Sequence, residues 1–238
     1  MIAVNHEKKA IFIRIPKTAS TYLMTIFRYN YNFKYTHKIS EFHDNITPKN
    51  KNDCIQGNKN IDFLNYCKNS KIISNELSMD DILYDNYIKF SFVRNPYERI
   101  VSGWKFLQER YDNMESLDYV PFQICSFKDF LKLNTDDLSN IEYVHTFMTQ
   151  SFNINNNNVT IIGKYENLED DILKILLNLG FNECEINHEK QIMNNTNHEH
   201  YKEYYDNESI QLVNVLFKED FENFNYKIIN NVDELKQL

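Results

Sequence analysis

The segment that most limits how this chain can fold is an apolar run that leads into a polar loop and then into a helix. The run at residues 11–15 indicates a strand, which breaks at Pro16 into the polar sequence KTAST. Apolar residues at helical spacing return over 22–27 and predict a helix. Free backbone N–H groups and the helix dipole favour negative charge where a helix begins, and Lys17 adds a cation there. The segment therefore predicts an anion site.

A second strand and helix follow the same plan. Residues 87–93 alternate as a half-buried strand and end at Arg94. Asn95 is a good N-cap and Pro96 a good first helical residue. An apolar stripe continues the predicted helix through Tyr97, Ile100, Val101, Trp104 and Leu107.

A third strand at 159–163 precedes a helix that starts near Asn167 and ends at Gly180, and the last third is helical around 210–217. Strands that alternate with helices predict an α/β domain with a mainly parallel sheet. Ligands bind at the carboxyl ends of such strands. The loop at 16–21 and the turn at 94–96 are therefore expected to line one crevice.

Composition limits the partners of this site. The 238 residues, 42% of them hydrophobic, suit one domain over 1–238 with a variable polar insertion at about 30–80. A net charge of −8 argues against a nucleic-acid partner, so an anion site has to be local. The 4 cysteines form no CxxC pair, which gives no zinc or redox motif and favours a reducing compartment.

No apolar run approaches the roughly 18 residues that span a bilayer. The first strand begins close to Met1, which leaves no room for a signal peptide. We expect a cytoplasmic or otherwise soluble chain without a membrane anchor, and the sequence does not indicate its oligomeric state.

The sequence favours two separate anion subsites over a loop that binds a nucleoside triphosphate. An ATP-type loop has the pattern GxxxxGK[ST], but no glycine occurs between Ile11 and Ser20. Ser102 stands nearly two turns into the second helix, on the face that carries Glu98, Arg99 and Lys105. Arg94 and Ser102 can therefore converge on a second anion beside the first.

At these residues the chain resembles the sulfotransferases that use 3′-phosphoadenylyl sulfate (PAPS), in the carbohydrate branch with heparan-sulfate 2-O- and chondroitin-type enzymes. The segment IPKTASTYL resembles that family's 5′-phosphosulfate loop, and FVRNPYERIVSGW resembles its 3′-phosphate motif. Weaker likeness continues through HTFMTQ, IIGKYENLEDDI and the segment at 200–226. The resemblance implies a P-loop-like three-layer fold, a mainly parallel sheet flanked by helices.

The resemblance also implies the roles of individual residues. Lys17 would stabilise the bridging oxygen of the leaving phosphate, the first loop would hold the 5′-phosphate, and Arg94 with Ser102 would hold the 3′-phosphate. A late loop resembles the one that closes over the nucleotide. The residues expected to contact the donor are Pro16, Lys17, Thr18, Ala19, Ser20, Thr21, Tyr22, Arg94, Ser102, Asn194 and Thr196. Transfer in this family needs no metal, and the expected acceptor is a carbohydrate or small hydroxylated molecule.

The reaction also needs a base that takes the proton of the acceptor hydroxyl. Carbohydrate relatives often carry a histidine before the second strand, where this chain has Glu76 instead. Glu76 is the preferred base because it stands about where that histidine would be. His43, His37 and His145 are the alternatives.

Two other functions stay open. A catalytically inactive nucleotide- or glycan-binding protein would bind the nucleotide without turnover, and a nucleotide kinase would need ATP and Mg²⁺. Among nearby residues, Arg99 and Glu98 are interpreted as an exposed helical pair, with added positive potential from Arg99 as the alternative. Gln150 and Lys164 receive no role from their spacing.

Overall fold

The computed structural model describes residues 2–35, 86–112, 126–132, 146–182 and 199–237. The strands in these ranges are β1 Ile2–Asn5, β2 Ala10–Ile13, β3 Lys34–Tyr35, β4 Ile88–Val93 and β5 Ile161–Lys164. The α-helices there are α1 Ser20–Asn30, α2 Pro96–Asp112, α3 Phe127–Lys132, α4 Gln150–Asn156, α5 Leu168–Asn178, α6 Asn207–Leu216, α7 Lys218–Asn223 and α8 Val232–Lys236. Short 3₁₀ turns lie at Tyr165–Asn167 and Tyr201–Tyr204.

The sheet has the strand order β3-β1-β2-β4-β5. β4 pairs in parallel with both β2 and β5, whereas β1 pairs antiparallel with both β2 and β3. Four of the five strands consequently run in one direction. The predicted α/β class with a mainly parallel sheet flanked by helices is confirmed.

The sequence did not predict β1. Its four residues, IAVN, are all buried and show no alternation of apolar and polar side chains. The turn that joins β1 to β2 has no glycine, and Lys9 takes the positive φ of 49°. A short apolar run with an unmarked turn gives too little periodicity to distinguish a strand from a helix.

Aromatic side chains fill one face of the sheet. Phe12 and Phe90 have their ring centroids 5.4 Å apart, and Phe27 from α1 meets Phe90 edge-on at 5.2 Å. Ile175 and Leu176 from α5 join the same cluster. α1 and α5 therefore cover this face. Because α1 is packed in place, the loop that joins β2 to α1 has a fixed position.

A second core is built by helices. The apolar stripe predicted for the second helix is buried, and it packs with α3, α6 and α7. This core anchors α2 against the rest of the chain, so the side chains on the remaining faces of α2 have fixed positions. Most of the predicted polar insertion lies in 36–85, outside the described residues, and the single domain over 1–238 stays a prediction.

Candidate active site

The loop between β2 and α1 has an unusual backbone. Lys17 and Ala19 take φ values of 68° and 57°, a region that residues with side chains seldom adopt. Such strain costs of the order of 1–3 kcal/mol per residue and is concentrated at ligand sites. The fully buried Thr18 holds the loop from inside, because its hydroxyl donates to the Ile15 carbonyl at 2.9 Å.

The helix that follows this loop starts without a side-chain cap. Ala19 is its N-cap residue, and no side chain there accepts a hydrogen bond from the first turn. The first N–H groups of a helix have no partner within the helix. They are therefore open to an anion, which the helix dipole also favours.

Two arginines of the second motif support the loop. Arg94 Nη1 donates to the Lys17 carbonyl at 3.2 Å, and Arg99 Nε donates to the Pro16 carbonyl at 3.1 Å. The loop after β2 and the turn after β4 therefore meet, as their position at the ends of neighbouring parallel strands predicts.

Arg99 is not part of an exposed pair, and that interpretation was wrong. Its side chain is 1% exposed, and Nη2 donates to the Met148 carbonyl at 2.9 Å. Burial lowers the pKa of Arg99 to about 10, while the charge of Asp220 acts in the opposite direction. Glu98 instead pairs with Arg94 at 2.7 Å, one helical turn earlier.

Arg94 is held on several sides and still has a donor to offer. Its guanidinium lies 4.0 Å from the centroid of the Tyr165 ring. The Nε atom of Arg94 is buried and has no hydrogen-bond partner among the residues that the structure describes. Because an unsatisfied buried donor is costly, an anion at this point would stabilise the site.

Lys17 lies at the centre of the positive charge. It is half-buried, and its Nζ is 4.1 Å from the centroid of the Phe106 ring. Burial first, and then the charges of Arg94, Arg14 and Arg99, lower the pKa of Lys17 to about 8, against the charge of Glu109. Four cations thus act on one another in a protein of net charge −8, a density that an anionic ligand would relieve.

Sequence reasoning missed Arg14. Its Nε donates to Ser20 Oγ at 3.0 Å, and its Nη2 to Thr21 Oγ1 at 3.4 Å. Each hydroxyl accepts from Arg14 and keeps its own O–H to donate. The hydroxyls of Ser20 and Thr21 could therefore donate to an anion at the start of α1.

Ser102, Phe106 and Glu109 lie at positions i, i+4 and i+7 of α2, on one side of the helix. Ser102 is half-buried, and its hydroxyl makes no hydrogen bond within the described part of the chain. Phe106 packs against Lys17, and the charge of Glu109 reaches Lys17. The i, i+4, i+7 spacing was the sequence signal that could have linked Phe106 and Glu109 to Ser102.

The remaining predicted site residues are Tyr22, which the structure describes, and six that it does not. Tyr22 is half-buried in the first turn of α1. The others lie outside the described residues: Glu76, His37, His43, His145, Asn194 and Thr196. Their roles stay predictions.

The fold and the site together define an α/β protein with a cluster of cationic side chains at the carboxyl ends of two neighbouring parallel strands. The chain belongs to the sulfotransferase family, whose profile matches residues 1–227. It is therefore a transferase of the sulfuryl-transfer class.

A relative from Archaeoglobus fulgidus, named only as an uncharacterized protein, is 32% identical over 112 residues, which cover 42% of this chain and 74% of that protein. No solved structure matches the chain significantly. None of the helices in the described ranges is long and apolar enough to cross a membrane.

Proposed function

We propose that the chain transfers the sulfuryl group of PAPS to a hydroxyl of a carbohydrate or glycoconjugate. The observation that carries the proposal is the contact between Arg94 and the Lys17 carbonyl at 3.2 Å, which joins two candidate anion subsites. PAPS carries anionic groups on both its 5′ and 3′ positions. A donor of that kind needs two neighbouring cationic subsites.

The residues fit the donor in chemistry and in charge. PAPS supplies an activated sulfuryl group on a phosphate leaving group. Lys17 would bind the bridging oxygen, where negative charge develops as the bond to sulfur breaks. Ser20, Thr21 and the first N–H groups of α1 would bind the 5′-phosphate. Arg94 Nε and the Ser102 hydroxyl would bind the 3′-phosphate.

A base completes the reaction. The acceptor hydroxyl forms a bond to sulfur and gives its proton to that base, while the S–O bond to the phosphate breaks. Glu76 is the proposed base, with His43, His37 and His145 as alternatives. Glu109 joins these candidates, because it is a carboxylate whose charge acts on Lys17.

Labelled PAPS and a panel of neutral and sulfated oligosaccharides test the proposal, together with calorimetric binding of the desulfated product, PAP. We expect PAP to bind without Mg²⁺ and label to reach at least one acceptor. Arg94→Ala should lower the affinity for PAP by about 10- to 100-fold, since a charge-assisted hydrogen bond contributes roughly 1.5–3 kcal/mol. Absence of PAP binding by the wild type would refute the proposal.

The two other functions give different results in the same assay. Tight PAP binding with no transfer to any acceptor would indicate a catalytically inactive binding protein. Mg²⁺-dependent binding of ATP in preference to PAP would indicate a nucleotide kinase, which the glycine-free loop disfavours.

A further inference from the structure

The main chain of Arg94 is held by a side chain from a distant part of the sequence. Arg94 N–H donates to Gln150 Oε1 at 2.8 Å, and Gln150 Nε2 donates to the Arg94 carbonyl at 2.9 Å. This two-point contact begins one residue after β4 ends at Val93. The amide thus pairs with the backbone as a neighbouring strand would, at the position where the sheet stops.

Gln150 is itself fixed by a buried carboxylate. Asp220 on α7 is fully buried and accepts from Gln150 N at 2.9 Å, from Gln150 Nε2 at 3.3 Å and from Ser151 N at 2.7 Å. A carboxylate acceptor requires the NH₂ group of the amide to face it. Oε1 is therefore turned toward the Arg94 N–H, and the amide has one orientation.

The residue after Arg94 is also held through its backbone. Asn95 N–H donates to Glu166 Oε1 at 2.6 Å, and Glu166 Oε2 accepts from the Tyr226 hydroxyl at 3.0 Å. The Arg94 side chain uses other partners, namely the Lys17 carbonyl, Glu98 and the Tyr165 ring. Main-chain and side-chain contacts of Arg94 are consequently separate, so one set can be changed without removing the other.

We propose that Gln150, oriented by Asp220, is a positioning residue that fixes Arg94 and thereby sets the preference for a nucleotide with a 3′-phosphate. This inference rests on the proposed function, because it takes Arg94 as the 3′-phosphate ligand. Gln150 is fully buried and acts through the backbone of Arg94. A charge-assisted hydrogen bond depends on the place of the guanidinium, which follows the backbone that carries it.

The test compares the affinities of PAP and 5′-AMP, which differ by the 3′-phosphate. Gln150→Met keeps the length and volume of the side chain and removes both hydrogen bonds to Arg94. We expect the preference for PAP over 5′-AMP to fall by about 10-fold or more, toward that of Arg94→Ala, while the affinity for 5′-AMP changes little.

The matched control is Asn153→Leu on the same helix, α4. The Asn153 amide donates to the Thr149 carbonyl at 3.1 Å, a backbone hydrogen bond that does not involve Arg94. The control should change thermal stability without changing the preference for PAP. If Gln150→Met does not fold, Gln150→Asn keeps an uncharged amide beside Asp220 but is one methylene too short to reach both backbone groups of Arg94, and the preference should again fall.

An unchanged preference in a folded Gln150 variant, whatever its stability, would overturn the positioning role and leave the proposed function intact. Failure of the wild type to bind PAP would overturn the proposed function and this inference with it. Equal affinities of the wild type for PAP and 5′-AMP would show that Arg94 does not bind a 3′-phosphate, and this would overturn the inference.

Discussion

At the scale of single residues, Lys17 combines three features that favour an anionic partner. Its backbone has a positive φ, its ammonium is half-buried against Phe106, and Arg94 and Arg14 both add positive charge. The positive φ, the burial of the ammonium and the neighbouring like charges are each unfavourable in the free protein, although the contact with the Phe106 ring offsets part of the cost of burial. An anionic ligand of the kind proposed above would relieve the repulsion between these charges.

We predict that Lys17→Ala lowers the rate of sulfuryl transfer by a factor of about 10² or more, while the affinity for PAP changes far less. A charge on the leaving oxygen acts mainly in the transition state, where that oxygen becomes more negative. Single-turnover transfer from labelled PAPS and calorimetry with PAP measure the two effects. Equal losses of binding and rate would contradict this role.

The lowered pKa of Lys17 gives a prediction for stability. Because the folded-state pKa is about 8 and the ordinary value is 10.5, the buried charge destabilises the fold fully below pH 8. The cost then decreases as pH rises to about 10.5, since the folded state loses the proton first. Lys17→Met should therefore raise Tm at pH 7 and give a smaller gain at pH 10.

Lys236→Met is the matched control, because Lys236 lies on α8 in an exposed position. The change in Tm that Lys236→Met causes should be the same at pH 7 and at pH 10. A Tm gain for Lys17→Met that stays constant over this range would show that Lys17 does not carry a lowered pKa.

At the scale of elements, β5 positions Tyr165 under Arg94. Gly163 on β5 pairs with Phe92 on β4, and a Cβ at Gly163 would lie 2.5 Å from Phe92 Cε1. The Phe92 ring is fully buried in the aromatic core, so it has little room to move. Glycine at this position leaves the space that the Phe92 ring occupies, so β4 and β5 can pair beside that ring.

We predict that Gly163→Ala lowers the free energy of unfolding by about 1–3 kcal/mol, the usual cost of overpacking a core. Denaturant unfolding measures the loss. Ile162→Ala is the control, because Ile162 is 40% exposed on the same strand and should have a smaller effect. Wild-type stability in Gly163→Ala would mean that Phe92 can shift at no cost.

The elements also show the limit of sequence reasoning. α2 was predicted from its N-cap, Pro96 and apolar stripe. The candidate site residues Ser102 on α2 and Arg94 in the turn before it were chosen from the motif. Burial of Arg99 was not predicted, because the carbonyl groups that accept its hydrogen bonds belong to Pro16 and Met148. Those partners lie 83 and 49 residues away in the sequence, beyond any local pattern.

At the scale of the whole molecule, the negative net charge of the chain bears on the choice of acceptor. The chain has 34 acidic and 26 basic residues, and several of its cations belong to the proposed anion site. A polyanionic glycan would need a broad basic surface to steer and hold it. The charge balance therefore favours a neutral or lightly charged acceptor, such as a short glycan, a glycolipid head group or a small hydroxylated molecule.

We predict higher kcat/KM on neutral than on highly sulfated oligosaccharides. The salt dependence of kcat/KM toward the acceptor should also be weak, because exposed charges would contribute little to its binding. Activities at several ionic strengths with saturating PAPS measure both. A clear preference for the sulfated substrate, with activity that falls steeply as salt rises, would contradict this prediction.

The sequence alone determined the α/β class and the strand-loop-helix order, because hydrophobic periodicity and the signals of Pro16, Asn95 and Pro96 each act over a few neighbouring residues. It also predicted the two anion motifs. Only the tertiary structure decided how the motifs combine. The parallel pairing of β2 with β4 brings Arg94 to the Lys17 carbonyl, and the fold brings Gln150 and Asp220 to the Arg94 backbone. These contacts depend on buried polar groups finding partners across the fold, and local sequence carries no record of which partner is nearest.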